Sequence, residues 1–596
     1  MTDFHKKSIQ SLLSEKRLAE AFAELRQTAQ TLQNWQLNNR LDELEESYKY
    51  MIRYVADGCN DPQREEIHNG ITAKLMELAD ITEQELTVQN SPKLYYETLR
   101  MERKYPRSLE ALLEAYRECA DKTALFYELP ADKRDSDQER TLLMEKEKAA
   151  NAVFKHIWVT FPVTANEAGT LDKLFADADA TAEIKELAMA ATMLSLLEHY
   201  SEHLLLSLLD LYAANAFNDA SLSMKALCCA LIAMHCHRET IQHSNAISLR
   251  IANIADSERG RRDIMTVFLQ FIRSRSTERI SQKVRDELVP KLMKLSPEMR
   301  RKMRDGFSDD IEEMAKNPDW QEMLNESGIT DKMQELSRMQ AEGSDVFLSS
   351  FARLKSFPFF NDVANWFVPF TPRHSSIFRV FAGNSGSMLL SMVDRTGAFC
   401  DSDKFSFALS VATMPDQHRS MMMAQFNEQQ EQVINEMAGS LPNPDKQREN
   451  IANKYVQSLY RFFNLFRSRN DFYNPFSTRL NLIDVPFVSD ALSDTKSLRL
   501  IAEFYFSMQC YTDALSTFGK VLKQDSPTAS DYQKTGYCHE QLKQYVLATA
   551  DYEKVELLKP NDVWTLKHLA LCYRAVNDTE KAIANYKRAE TLQPDN

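Results

Sequence analysis

Apolar residues recur at helical spacing over most of the chain. In "EKRLAEAFAELRQTAQTL" (15–32) and "SLEALLEAYREC" (108–119) they return every three or four positions, the period of an amphipathic helix. Polar segments such as "DGCNDPQ" (57–63) and "LPADKRDSDQ" (129–138) separate these runs. Residues 1–130 are therefore predicted to form helical hairpins that end at the second polar segment.

A related pattern occurs twice in the middle of the chain. "IKELAMAATML" (184–194) and "MKALCCALIAM" (224–234) share the order of apolar, Lys and small positions, with Ile184 corresponding to Met224. This pattern resembles HEAT-type helical hairpins, which repeat at ~40–47 residues. The resemblance implies an α-solenoid over residues 139–340, in which each hairpin buries its apolar face on its neighbours.

From residue 495 onward the sequence repeats with a period of 34. Small residues at two positions of the period would let paired helices approach closely, and aromatic residues would fill the gap to the next hairpin. Pro560 and Pro594 would end the second helix of their units. The matching sets are Leu498, Tyr532 and Leu566; Ala502, Gly536 and Ala570; Ala514, Ala548 and Ala582; and Phe518, Tyr552 and Tyr586.

These residues resemble the tetratricopeptide (TPR) repeat, a two-helix unit of about 34 residues. His539 and Leu566 depart from the family pattern, where Tyr and Trp are usual. The resemblance covers about a sixth of the chain and implies a TPR domain at 495–596, with units 495–528, 529–562 and 563–596.

TPR arrays bind extended peptides or helices on a concave face that their first helices line. The resemblance places the following partner-binding residues on that face: Arg499, Phe506, Gln533, Tyr537, Trp564, Lys567 and Arg574. Some TPR domains clamp the C-terminal carboxylate of a heat-shock chaperone with Lys and Asn. Here Glu503 and Tyr537 stand where Asn would be needed, which argues against that partner. The alternative is that the face only packs on preceding helices.

The segment "FPFFNDVANWFVPF" (357–370) holds six aromatic residues within a predicted helical region at 341–494. Its two prolines would bracket one short helix with Phe360, Ala364 and Phe367 on one side. Since Trp366 falls on another side, the helix should be buried on two sides, between the middle solenoid and the helices before residue 495. The alternative is a partner or ligand groove.

Composition supports an all-α protein. Only 13 of 596 residues are glycine, whereas strand turns and phosphate-binding loops depend on glycine. No run approaches the ~18 apolar residues of a membrane span, and the N-terminal residues do not resemble a signal peptide. Nine cysteines without a CxxC pair suggest reduced thiols. We therefore expect a cytoplasmic protein without a membrane partner.

One motif could carry chemistry. His199, Glu202 and His203 match H-x-x-E-H, the zinc signature of inverzincin peptidases, in which two histidines on one helix face bind the metal. Glu278 could be a third ligand. The motif lies in a Leu-rich helical repeat, whereas that family has a mixed α/β fold, which favours a chance match. We therefore expect no metal, no cofactor and no enzymatic activity.

Other polar clusters have structural explanations. Cys228, Cys229, His235, Cys236 and His237 lie in an apolar helix, where buried cysteine is the ordinary interpretation. The Asp-x-Asp of "CDSDKFSF" (400–407) lacks the ligands of a calcium loop, and an N-cap at Ser402 or Asp403 is expected instead.

Residues 249–305 hold 15 Lys and Arg against 8 Asp and Glu, in a chain of net charge −14. Such a region can bind nucleic acid, or it can pair with acidic neighbouring helices. The function predicted from the sequence is a non-enzymatic scaffold that binds a protein or peptide partner and no small-molecule substrate. The alternatives are a nucleic-acid-associated regulator using 249–305, which we do not expect, and a zinc-dependent hydrolase.

Overall fold

A computed structural model describes most of the chain: residues 6–58, 62–283, 285–286, 338–339, 343, 345–346, 348–381, 393, 399–415, 443–524 and 527–593. Regular structure in these ranges is helical, which confirms the predicted all-α class. None of the helices found there has the length and apolar character that crossing a membrane requires.

The chain divides into two compact units, each made of two stretches of sequence. The first comprises residues 1–254 and 277–480, and the second comprises 255–276 and 481–596. The four-domain division predicted above stays a prediction. The first unit and its boundary contain the α-helices Lys6–Ser14, Leu18–Thr31, Trp35–Ala56, Arg64–Thr87, Leu94–Lys104, Leu109–Glu128, Ser136–Val159, Ala165–Ala176, Ala182–Glu198, Glu202–Asn215, Ala220–Cys236, Arg238–Ile241, Asn245–Asp256, Thr277–Lys283, Leu348–Ala352, Asp401–Ala412 and Pro444–Leu465.

Helices pack in succession through the middle of the first unit. Ser136–Val159, Ala182–Glu198 and Ala220–Cys236 lie side by side, and Pro444–Leu465 packs next to the last of them. The second and third of these helices contain the two related motifs at 184–194 and 224–234, and nearly all residues of the two motifs are buried. This solenoid-like packing therefore continues with a helix supplied from much later in the sequence.

The aromatic segment forms two short 3-10 helices, Pro358–Asn361 and Ala364–Trp366. The prediction of one helix between the prolines is wrong because Asp362 is extended, with φ −92° and ψ 134°. Its carboxylate accepts hydrogen bonds from the backbone N–H of Ala364 and from the side chain of Asn151. These bonds hold the interruption in place.

The aromatic segment 357–370 is part of the hydrophobic core of the first unit. Trp366 is 2% exposed, and its indole N–H donates to the carbonyl of Phe360 at 2.9 Å. The Phe367 ring stacks on Phe154, with centroids 5.9 Å apart, and lies 4.9 Å from Phe462. The segment thus fills the space between Ser136–Val159 and Pro444–Leu465, as the first of the two interpretations predicts.

Four charged side chains form a buried network beside this core. Arg461 contacts Asp345 at 2.8 and 3.0 Å and Asp403 at 2.8 Å. Lys355 lies 2.9 Å from Asp403, and all four side chains are at most 3% exposed. Burial lowers the pKa of Lys355, although Asp403 opposes this shift. Two cations and two anions balance one another, which is what burial of charge requires.

The Asp-x-Asp motif has a different role from the one predicted. The helix Asp401–Ala412 follows Cys400 as its N-cap, so the prediction of a cap at Ser402 or Asp403 is wrong. Both carboxylates form ion pairs instead: Asp403 belongs to the buried network, and Asp401 lies 3.6 Å from Lys225. The requirement to balance buried cations explains why two acidic residues stand there.

His156 should make stability depend on pH. Burial opposes its charge, but Glu102 and Glu167, 3.5 and 3.1 Å away, raise the pKa of His156 to about 9. Because the folded pKa exceeds the ordinary 6.5, its contribution is complete below pH 6.5 and is lost as the pH rises through 9. Urea unfolding should show His156→Gln less stable below pH 6.5, with the difference shrinking by about 3 kcal/mol above pH 9. If the difference in stability between His156→Gln and the unaltered protein were the same at pH 6 and at pH 10, this assignment would be contradicted.

The second unit contains three successive helical hairpins. Each has a first and a second helix: hairpin 1 is Thr495–Ser507 with Tyr511–Val521, hairpin 2 is Ala529–Gln541 with Tyr545–Leu558, and hairpin 3 is Val563–Ala575 with Thr579–Leu592. The first helices therefore begin in step with the repeat of the sequence. Their N-caps, Asp494, Thr528 and Asp562, accept hydrogen bonds from first-turn N–H groups, which stabilises each helix start.

The turn inside each hairpin also repeats. Gln509, Lys543 and Asn577 have positive φ angles of 60°, 60° and 64°. The N–H of the next residue donates to the carbonyl five positions earlier, as Cys510 does to Tyr505 at 2.9 Å. This is a Schellman motif, in which glycine is the usual left-handed residue. None of the three is glycine, so the ordinary sequence signal of a helix end is missing.

Small residues allow close packing within the hairpins. At Gly536 an added Cβ would lie 2.8 Å from the ring of Tyr552, which is too close for any side chain. The buried alanines Ala502 and Ala570 occupy the equivalent positions of the other hairpins. The repeating pattern of small residues therefore reflects helix contact, as the sequence predicts.

The helix Glu258–Ser274 packs on hairpin 1, and we call it the cap helix. Phe268 contacts the ring of Tyr505, with centroids 6.2 Å apart. Just beyond the helix, Arg275 pairs with Asp513 at 2.8 Å. Part of the basic region 249–305 thus covers the start of the hairpin array.

Candidate functional site: the first-helix face of the hairpin array

The seven predicted partner-binding residues all lie on the first helices of the hairpins. Two of them connect one hairpin to the next. Arg499 donates two hydrogen bonds of 2.9 Å to Asp531, and Gln533 donates to Asp562 and Thr565 at 3.1 Å. Arg499 and Gln533 occupy equivalent positions of the repeat, so the same kind of contact joins hairpin 1 to hairpin 2 and hairpin 2 to hairpin 3. Their polar groups are largely used in holding the array together.

Asp531 is the centre of the first connection. It accepts from the backbone N–H of Thr528 in a capping box. Burial opposes its charge, but hydrogen bonds from Arg499 and Thr528 hold the pKa of the Asp531 carboxyl below its ordinary value. The carboxylate is therefore charged at neutral pH and fixes the register of hairpins 1 and 2.

Aromatic rings run across all three first helices. Phe506 lies 5.5 Å from Tyr537, and Tyr537 lies 5.9 Å from Trp564, measured between ring centroids. Phe506 and Tyr537 are half-buried, whereas Trp564 is 40% exposed. We call these three residues the aromatic row. The contacts between the rings already restrict the rotamers of these side chains. Binding of a ligand would therefore cost them little further conformational entropy.

Two residues of this surface, His568 and Glu540, were not predicted from the sequence. His568 stacks on Trp564 with centroids 3.8 Å apart, and its Nδ1 lies 2.8 Å from the carboxylate of Glu540. The Tyr552 hydroxyl donates to the same carboxylate at 2.9 Å. The spacing of Trp564 and His568 by four positions, which puts both on one helix face, was the available signal.

The third hairpin gives the face a basic end. Lys567 is half-buried and Arg574 is exposed. Among the residues that the structure describes, neither has a salt-bridge partner. Arg499, by contrast, forms a salt bridge with Asp531. The charged groups of Lys567 and Arg574 are therefore not used in ion pairs within the described ranges.

The three residues of the H-x-x-E-H motif do not share a helix face. A helix ends at Glu198, His199 is extended, and the next helix begins at Glu202. His199 is buried against the ring of Phe161, 4.4 Å away, whereas His203 is half-exposed and contacts Asp172 at 3.0 Å. The predicted geometry is wrong because the end of a helix falls inside the motif.

Within the described ranges, no three His, Cys, Asp or Glu side chains are grouped as metal ligands would be. Cys229 is fully buried and lies 3.2 Å from the Tyr455 hydroxyl, and burial raises its pKa to about 12. His237 contacts the carbonyl of Leu196. Cys229 is therefore part of the core of the first unit, and His237 is partly buried.

The described part of the basic region forms ion pairs with acidic neighbours. Arg250 contacts Asp210 at 2.6 Å, Arg262 pairs with Glu258, and Arg275 pairs with Asp513. The residues of 249–305 beyond 286 lie outside the described ranges, so their role stays a prediction. In the described part, pairing within the fold accounts for these arginines.

No family model matches the chain. Among similar proteins is the "Uncharacterized protein ycf37" of Guillardia theta, which is 30% identical to this chain over 114 residues. The matched segment is 18% of this chain and 64% of that relative. The chain thus spans less than two thirds of the relative's length.

Proposed function

We propose that the three hairpins are TPR units and that the protein is a non-enzymatic scaffold which binds a segment of another protein on their first-helix face. The observation that carries this proposal is the aromatic row, which runs over three helices and ends at a half-exposed tryptophan. The regular recurrence of N-caps and turns supports the TPR assignment.

Trp564, Tyr537 and Arg574 are proposed to supply most of the binding energy. Trp, Tyr and Arg are enriched among the residues that dominate binding energy at protein interfaces, and Trp and Tyr bury much area with few rotatable bonds. Arg574 can also bind a carboxylate or a carbonyl group of the partner through several N–H donors. The ligand that fits is a peptide or helix with an apolar side chain for the aromatic row and an acceptor near Arg574.

The test is capture of partners from native lysate by the unaltered chain of 596 residues and by the double variant Trp564→Ala/Arg574→Ala. We expect specific partners to be lost from the double variant, since each truncated hot spot costs about 2 kcal/mol or more. Binding of each captured partner should then be measured by calorimetry with purified components. Circular dichroism must show that the variant keeps its helical content.

The matched control is Trp35→Ala/Arg53→Ala, which removes an exposed Trp and an exposed Arg from the first unit. It should retain every partner. If the folded Trp564→Ala/Arg574→Ala variant also retains every specific partner, the first-helix face only stabilises the array and the proposed function is wrong.

A further inference from the structure

Hairpin 3 exposes a surface that is covered in the hairpins before it. In hairpins 1 and 2 the repeated aromatic residue of the second helix is buried, since Phe518 and Tyr552 are 0% exposed. Hairpin 3 covers Tyr552, whose ring centroid lies 6.0 Å from those of Trp564 and His568. The equivalent Tyr586 of hairpin 3 is partly exposed. In the part of the chain that the structure describes, no further hairpin lies against it.

Lys567 is the third member of the polar connection that joins the hairpins. Arg499 of hairpin 1 donates to the carboxylate of Asp531 in hairpin 2. Gln533 of hairpin 2 donates to the carboxylate of Asp562, the N-cap of the next first helix. Lys567 occupies the equivalent position and has no salt-bridge partner among the described residues. The group that this position meets twice in the array, and that Lys567 lacks, is a carboxylate.

The second helix of hairpin 3 has an acidic residue in the same situation. Glu556 of hairpin 2 pairs with Arg588 of hairpin 3. Glu590 occupies the equivalent position, is exposed, and has no cationic partner within the described ranges. Ile583, which is 49% exposed, and Tyr586 lie on the same side of this helix, because Ile583, Tyr586 and Glu590 follow one another at intervals of three and four residues.

We call Lys567, Ile583, Tyr586 and Glu590 the outer surface of hairpin 3. In repeat proteins each repeat contacts only its neighbours, and a terminal repeat that faces water needs a polar outer face. Ile583 and Tyr586 do not meet that requirement. The outer surface instead has the groups that hairpin 2 uses against hairpin 3: a buriable ring, a hydrogen-bond donor and a carboxylate.

We propose that the outer surface of hairpin 3 binds a helical hairpin of another protein, which continues the stack as a fourth hairpin. The first helix of the partner would begin with an Asp or Glu that pairs with Lys567, and its second helix would carry a Lys or Arg that pairs with Glu590. Its apolar side chains would cover Ile583 and Tyr586. This surface is separate from the aromatic row, and the inference does not rest on the proposed function.

A second copy of the chain has no hairpin in its array to offer. The cap helix already packs on hairpin 1, where Phe268 contacts Tyr505 and Arg275 pairs with Asp513. Hairpins 2 and 3 each pack on the hairpin before them. The side by which a hairpin joins the stack is therefore occupied in all three, so the partner is a different protein.

The first test is photo-crosslinking in native lysate by the purified chain of 596 residues with benzoylphenylalanine in place of Tyr586. We expect a crosslink to a helical segment of another protein. The control has benzoylphenylalanine in place of Tyr54, which is 59% exposed in the first unit, and should not crosslink that protein. A crosslink only to a second copy of this chain, or no protein beyond those that the control captures, would overturn the inference.

The second test measures the two charge contacts with the purified crosslinked partner. Lys567→Glu and Glu590→Lys should each weaken binding at least ~10-fold, because like charges would then face each other in the interface. Lys520→Glu, at an exposed site on hairpin 1, is the control and should bind as the unaltered chain does. Replacing the facing acidic residue of the partner by Lys should restore binding to Lys567→Glu. Binding that survives both charge reversals, or no recovery on the exchange of charges, would contradict the proposed stacking.

Discussion

Replacing Trp366 by alanine is expected to lower the free energy of unfolding of the first unit by about 3–5 kcal/mol, the usual cost of truncating a buried aromatic side chain. The indole is packed between the rings of Phe360, Phe462 and Phe466, with centroids 4.9 to 6.1 Å apart. Truncation would leave a cavity among rigid rings that cannot collapse into it. It would also leave the carbonyl of Phe360 without the indole N–H.

The measurement is urea unfolding followed by circular dichroism, so that loss of a tryptophan does not change the signal. Trp35→Ala is the control, because Trp35 is 68% exposed and its truncation should shift the midpoint little. An equal midpoint for Trp366→Ala and the unaltered protein would mean that the aromatic segment is not core in solution.

Arg461→Met is expected to destabilise the first unit by about 3–5 kcal/mol, the cost of removing one member of a buried ion pair. The methionine fills much of the same volume, so the loss should come mainly from charge. Asp345 and Asp403 would both lose their contact with the guanidinium in a site from which water is excluded.

A second variant separates charge from packing. Arg461→Met/Asp345→Asn restores one cation and one anion and should recover part of the lost stability. Arg379→Met is the surface control: Arg379 is more than half exposed, and its contact with Asp137 should contribute no more than about 1 kcal/mol. If Arg461→Met were no more harmful than Arg379→Met in urea unfolding, the buried network would have no energetic role.

The hairpins of the second unit were largely predictable from the sequence, because each repeats a contact that depends on residue size. Ala502, Gly536 and Ala570 must be small where two helices touch. The turns were not predictable in detail, since Gln509, Lys543 and Asn577 adopt a left-handed conformation without glycine. The hydrogen bonds at the helix ends stabilise this left-handed conformation, which the residue types at these positions do not predict.

Contacts between distant parts of the first unit could not be read from local patterns. The network joins Asp345, Lys355, Asp403 and Arg461, which lie on four separate segments. Periodicity describes the face of one helix and contains no information on which distant charge will meet it. The break at Asp362 was also hidden, since it depends on Asn151, which belongs to a helix much earlier in the chain.

The sequence predicted which helices carry the candidate site, but it did not predict the contacts of the side chains there. The sequence placed Phe506, Tyr537 and Trp564 on the first helices, and the structure brings their rings into contact. It did not distinguish side chains that hold hairpins together from those with free capacity. The sequence predicts the same role for Arg499 and Arg574. In the structure Arg499 pairs with Asp531, whereas Arg574 has no salt-bridge partner among the described residues.

The cap helix has a consequence for synthesis of the protein on the ribosome. Its apolar side chains, Phe268 among them, are made long before Tyr505, the ring that they contact in hairpin 1. Tyr505 follows Phe268 by roughly 240 residues, which take about 12–48 s to synthesise at the usual rate of translation. During that interval the nascent chain carries a helix whose hairpin partner does not yet exist. A molecular chaperone that holds exposed apolar helices would find its binding site there, and release would coincide with completion of hairpin 1.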